Sequence, residues 1–214
     1  MKALGMLEVY SFTTAVFAAD ICAKTGNIKV IAFDRNRPKS ADAPAPLVMV
    51  VKIEGDVSDV KTAIEAGKKY AEEQGKYIVS HIIPSPGENV EKMAYRLDIN
   101  KDKFNKRLPK SFLGEDNIKP ERMHSIGLLE VQGLVAAIEG LDEMTKTADV
   151  RLIHTEKRLG GRLVTLVVTG KVDAVNSAVS MGKNCAEKLG HVYGDAVIAN
   201  LHEEVAKFFD FSEN

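Results

Sequence analysis

One stretch of this chain occurs twice, and no other feature limits its fold as much. Leu4-Gly5-Met6-Leu7-Glu8-Val9 returns as Ile126-Gly127-Leu128-Leu129-Glu130-Val131, 122 residues later. The register holds from Gly5/Gly127 to Asp34/Glu156 and pairs Ala15 with Ala137, Asp20 with Asp142 and Ile31 with Ile153. It resumes at a spacing of 115, where Gly55 pairs with Gly170, Val60 with Val175, Gly67 with Gly182 and Gly75 with Gly190. The first copy therefore carries seven extra residues between Asp34 and Gly55. Self-similarity of this kind means two homologous units in one chain. A chain of 214 residues gives each unit room for a core of its own. The expected division is residues 1–95, a charged linker over 96–123 without a long apolar period, and residues 124–214.

Each copy has the same order of elements. In the first, Leu4–Tyr10 reads as a strand and Ser11 as the cap of a helix. Phe12, Val16, Ala19 and Ala23 put one apolar stripe on that helix, and Gly26 ends it. Ile28–Phe33 is a second strand, and Arg35–Pro46, broken by three prolines, is a loop. Leu47–Ile53 is a third strand. A helix follows with Val57, Val60, Ile64, Gly67 and Ala71 in register, then a fourth strand, Tyr77–Ile83. A short helix, Glu88–Tyr95, closes the copy. The second copy predicts strands at Ser125–Gln132, Val150–Glu156, Leu163–Thr169 and His191–Ala199. Its helices reach Thr147 and run from Val172 to Leu189, with a tail helix over Leu201–Phe209. Gly160-Gly161 marks a tight hairpin between its second and third strands. The order β-α-β-β-α-β, twice, predicts an α+β protein of two tandem ferredoxin-like (βαββαβ) domains, each a four-stranded antiparallel sheet with helices.

Composition and spacing narrow the function mostly by exclusion. A net charge of −1 gives no support for bulk nucleic-acid or membrane-surface binding. No apolar run approaches the ~18 residues of a membrane span, and the early strand leaves no room for a signal peptide. Cys22 and Cys185 lie in helical patterns of different copies, without metal-ligand spacing, and read as small buried residues of a reducing cytoplasm. His81, His124, His154, His191 and His202 are not at metal-ligand spacing from one another or from a Cys. There is no GxGxxG, Walker or GxSxG motif. The acidic pairs Glu72-Glu73 and Glu203-Glu204 read as solvated helix faces. Neither a catalytic constellation, a metal site nor a cofactor is expected.

The repeated pattern resembles the BMC domain, the shell-tile domain of bacterial microcompartments. Leu4–Glu8 with the helix to Lys24, and Ile126–Glu130 with the helix to Lys146, are similar to the family's opening. Glu156–Thr165 resembles its pore loop and the strand that follows. Gly55-Asp56-Val57 with Val60, Ala63 and Gly67 resembles its second helix, and Ser80–Pro86 the end of its fourth strand. Two such domains in one chain resemble the tandem class, whose members form trimers that imitate a six-domain ring. The resemblance implies a structural shell protein, a homotrimer that packs with other shell proteins in a cytoplasmic bacterial microcompartment and passes small metabolites through a central pore. It assigns to that pore Pro38, Lys39, Ser40, Ala41 and Asp42 of the first loop and Arg158, Leu159, Gly160, Gly161 and Arg162 of the second. Tripled arginines would favour anionic solutes; the alternative is that they pair with nearby acids. The first loop is either a gate or a stiff spacer.

Lys24 and Lys146 match the family's tile-edge lysine; the alternative is a solvated lysine favoured by the helix dipole. The family often places an Arg between two prolines after the fourth strand. Ser85 and Asn200 stand there instead. Neither loop has a Cys, so the iron–sulfur cluster of some tandem members is not expected. The competing function is a trimeric small-molecule-binding regulatory protein of ferredoxin-like fold, gripping a phosphate with the basic loop.

Overall fold

A computed structural model describes residues 2–38, 40, 42–87, 90, 94, 125–156, 162–209 and 211. The linker at 96–123 and most of the hairpin tip at 157–161 lie outside them. In the first half the elements are β1 (Ala3–Tyr10), α1 (Phe12–Thr25), β2 (Ile28–Asn36), β3 (Val48–Gly55), α2 (Val57–Glu73) and β4 (Tyr77–Ile83). In the second they are β5 (Ser125–Gln132), α3 (Leu134–Thr147), β6 (Val150–Glu156), β7 (Leu163–Gly170), α4 (Val172–Ala186), β8 (Val192–Ile198) and a short α5 (Glu203–Ala206). The sheets are ordered β2-β3-β1-β4 and β6-β7-β5-β8, with all neighbours antiparallel. This is the ferredoxin-like order, twice, with the two helices of each half on one face of its sheet.

The repeated glycine has a packing reason. A Cβ on Gly5 would come within 2.7 Å of Val60 on α2, and one on Gly127 within 2.5 Å of Val179 on α4. The strand that opens each half thus lets the second helix lie directly on its backbone. Leu7 and Val9, or Leu129 and Val131, face the same helices, while Met6 and Glu8, or Leu128 and Glu130, point to the opposite face.

The two cores are unequal. Leu129, Val131, Val168, Val175 and Val179 form the core of the second half alone. The larger cluster holds the first half's core and also Ile126, Leu128, Val167 and Ile198, from the helix-free face of the second sheet. Phe208, Phe209 and Phe211 of the C-terminal segment join it. The halves are therefore fused through one continuous apolar region.

Several expected boundaries move. β2 runs on to Asn36, because Asn36 pairs with Val48 before any proline interrupts the ladder. The helix expected to reach Leu189 ends at Ala186 and finishes in turns, with Leu189 and Gly190 donating to the Ala186 carbonyl. The tail is helical only over Glu203–Ala206; Phe208 and Phe209 follow in i→i−3 turns, their rings anchored in the core. Within the short helix expected over 88–95, Val90 and Ala94 are helical and the other positions lie outside the described residues. Cys22 is buried, as expected, and Cys185 only partly so.

Candidate functional site

The functional surfaces are best built from the junction between the halves. α1 opens at Ser11, a non-glycine residue with a φ of 78°. This strained conformation aims the Ser11 hydroxyl at Glu130 Oε2, 2.6 Å away. The same carboxylate accepts the amide N–H of Thr13 at 3.0 Å and lies 3.4 Å from that of Phe12. Glu130 is fully buried. These donors sit at the positive end of a helix, an arrangement that offsets the desolvation of a buried carboxyl group. Gly194 sits beside Glu130 in the ladder; a Cβ there would press on Thr13 at 3.2 Å and on Ser11 Oγ at 3.3 Å. Lys76 Nζ donates to the Tyr193 carbonyl at 2.7 Å. Burial pulls the Lys76 pKa down, with Glu130 and Asp195 opposing.

The C-terminal segment seals the same seam. Asp20 accepts the His202 amide at 2.7 Å, and Glu204 accepts the Val30 amide at 2.9 Å. Phe208 meets Phe33 edge-on at 5.0 Å. His154 stacks near Phe12 at 6.3 Å and meets Phe209 at 5.6 Å. Burial lowers the His154 pKa, with Glu156 opposing, so the imidazole is neutral at pH 7.

The equivalent surface of the second half is bare. By the repeat, Leu134, Val135 and Ile138 on α3 correspond to Phe12, Thr13 and Val16 on α1. The α1 residues are buried, whereas Leu134, Val135 and Ile138 are 52%, 72% and 59% exposed. A pocket of about 440 Å³ opens beside them, lined by Gly133, Leu134, Val135, Arg162 and Leu189 among others. Asp142, the counterpart of buried Asp20, is exposed too.

The residues assigned to a pore are only partly described. Pro38 is half-buried, Ser40 and Asp42 are exposed, and the Ser40 Oγ accepts the Asp42 amide at 3.2 Å in a local turn. Arg162 is exposed at a φ of 63°, and its carbonyl accepts the Gly133 amide at 2.8 Å. Its guanidinium lies over Gly133, 3.6 Å from where a Cβ would be. Lys39, Ala41, Arg158, Leu159, Gly160 and Gly161 lie outside the described residues. Arg35 and Glu156 approach to 3.7 Å across the seam, which brings the end of β2 beside the end of β6. Lys24 and Lys146 each pair with the acid one turn before, Asp20 and Asp142, at 2.5 Å. The pairing with Asp142 raises the Lys146 pKa.

Glu130, which organises this surface, and its counterpart Glu8 entered the sequence reading only as markers of the repeat. The available signal was a charged residue on a strand that is otherwise apolar, at the same place twice. Among the described residues no group of three His, Cys, Asp or Glu is placed to hold a metal ion, and no helix is long and apolar enough to cross a membrane.

Comparison with known proteins agrees with this layout. The family model for the BMC domain matches residues 3–86 and again 125–201. A carboxysome assembly protein CcmO from Synechococcus elongatus is 30% identical over 196 residues, which is 92% of this chain and 64% of that protein. The major carboxysome shell protein CsoS1A of Halothiobacillus neapolitanus is 43% identical over 82 residues, 38% of this chain and 83% of its own. A solved structure of a microcompartments protein from Desulfitobacterium hafniense DCB is 22% identical and covers 97% of this chain and 99% of that one, with a TM-score of 0.38. The chain thus spans about two thirds or less of the length of the CcmO relatives it matches.

Proposed function

The chain belongs to the BMC domain family, and on that premise we propose that it is a structural tile of a bacterial microcompartment shell. Three copies close into a ring of six similar domains around a pore for small metabolites. The units of the ring are residues 1–95 and 124–214, tethered by 96–123. The single observation that carries this reading is the mismatch between the α1 and α3 faces: one is covered by the other half of the chain, while its homologue is bare. A contact that repeats head to tail between like units either closes into a ring or runs on as a filament. Six wedges from three chains is the closed form that uses each face once.

The pore reading draws support from the ends of the strands that lead into the two loops. The Arg35–Glu156 contact supports a shared location for the loops after β2 and β6. In the ring, residues Pro38–Asp42 and Arg158–Arg162 would each appear three times around the axis. Tripled arginines in a narrow opening focus a positive potential and favour anionic metabolites. Lys24 and Lys146 would face neighbouring tiles, the partners being other shell proteins.

Sedimentation or native mass spectrometry of the purified chain tests the ring directly. The expected mass is that of three chains, and electron microscopy should show flat sheets, alone or with other shell proteins. A strict monomer that never joins such sheets would overturn the proposal.

A further inference from the structure

The junction inside the chain is a template for the junction between chains, and it makes a residue-level statement possible. We propose that the head of α3 is a socket for the Glu8 carboxylate of a second copy of this chain, closed by the Arg162 guanidinium where the first half uses the Ser11 hydroxyl. The inference rests on the ring reading above and assigns the chemistry of its inter-chain contact.

The backbone frame is the same in both halves. The Ser11 amide donates to the Leu47 carbonyl at 3.0 Å, and the Gly133 amide donates to the Arg162 carbonyl at 2.8 Å. Arg162 is the counterpart of Leu47 by the spacing of 115. In the first half the N–H groups of Phe12 and Thr13 meet Glu130. Their counterparts, the N–H groups of Leu134 and Val135, lie in the first turn of a fourteen-residue helix, where no intrahelical acceptor reaches them. Their counterpart acid, Glu8, sits half-buried on β1, with no ion-pair partner among the described residues.

The side chains that differ do so in a compensating way. Gly133 has no hydroxyl to offer, but the Arg162 guanidinium occupies the space beside it and supplies the missing donor with a full charge. Beside Glu130 the ladder has Gly194, which leaves room for the Ser11 and Thr13 side chains. Beside Glu8 it has Val79, half-exposed, a bulk that Gly133 leaves room for. Small opposes large in both junctions, with the roles exchanged. Val79 against Ser11 would crowd, and Gly194 against Gly133 would leave a void. The two junctions are therefore coded against each other, so that first-half heads take second-half acids and the reverse.

The full chain tests this by sedimentation over a dilution series, combined with subunit exchange between isotope-labelled and unlabelled assemblies. Glu8→Arg and Arg162→Glu are each expected to raise the dissociation midpoint about 100-fold, a typical loss for one partner of a buried ion pair. The double variant is expected to recover at least about tenfold of that loss. Glu8→Gln, which keeps the shape, should cost about tenfold. A wild-type trimer whose dissociation is unchanged by either single charge reversal overturns the socket and leaves the ring reading standing. So does a double variant no tighter than the singles. A wild-type monomer overturns both.

Discussion

The two helix heads of this protein have the same ancestry and opposite fates. Phe12, Thr13 and Val16 are buried against the second sheet and the tail, whereas Leu134, Val135 and Ile138 stand in solvent. Apolarity at these three positions does not dictate this, since the exposed trio is the more apolar of the two. What differs is connectivity: one chain can cover only one of its two homologous faces with its own residues. The acids show the same split. Glu130 is fully buried with its donors in place, and Glu8 waits half-buried. The exposed apolar stripe, beside amides that no intrahelical acceptor reaches, is the surface that the proposed neighbour would cover.

Substitutions at paired positions put this contrast at risk. The largest expected effect is from Glu130→Ala, which leaves the Ser11 hydroxyl and buried α1 amides without an acceptor. It should cost about 3 kcal/mol in urea unfolding of the chain. Glu8→Ala should change the stability of the isolated chain by less than about 0.5 kcal/mol. Equal losses would mean that the two heads are not differently engaged. Gly194→Val, which imports the first half's side chain into the closed junction, should cost about 2 kcal/mol by overpacking Ser11 and Thr13. The reverse change, Val79→Gly, should cost about 1 kcal/mol, the ordinary loss of strand preference.

Acid separates the halves more gently. His154 stands where the first half has Ala32, and burial holds its pKa below the usual 6.5. The unfolded chain therefore binds the proton more readily. Stability is fully present above pH 6.5 and falls as the pH drops from there through the lowered folded-state value, by at most about 1.4 kcal/mol per pH unit. Thermal melts across this range should show the slope, and His154→Phe should flatten it. The smallest effect is at Lys24 and Lys146. Lys24→Ala removes a partner from Asp20, which is buried under the tail, and should cost about 0.5–1 kcal/mol. Lys146→Ala, on an exposed pair, should be silent in the stability of the isolated chain.

Much of the fold was legible because it was written twice. The spacings of 122 and 115 placed every strand and major helix of one half on its homologue, and the ladders follow that register. Boundaries slipped where tertiary contacts overrode local signals. Arg35 and Asn36 stay in β2 because β3 offers them partners, and the tail is mostly turns because three phenylalanines anchor it. The junction was hardest to see. A glutamate on an apolar strand looks the same whether it is buried under a helix head, as Glu130 is, or left open, as Glu8 is. Position 167 is another case: it is Val in the second half, while its counterpart Lys52 is buried with Asp34 and donates to the Ala94 carbonyl at 2.9 Å. Which of these residues belongs to a seam depends on the path of the whole chain, and no local period carries that information.

The C-terminal segment lies between α1 and the back of the second sheet, held by Asp20, Glu204 and the phenylalanine cluster. During translation those residues leave the ribosome after everything they clamp. The first domain must then wait through the making of its twin with a greasy flank uncovered, a window open to chaperones and to premature pairing. A chain arrested at Ala199 should bind more of a dye for exposed apolar surface than one carried through Phe211, so Leu201, Phe208 and Phe209 act as a latch over the seam.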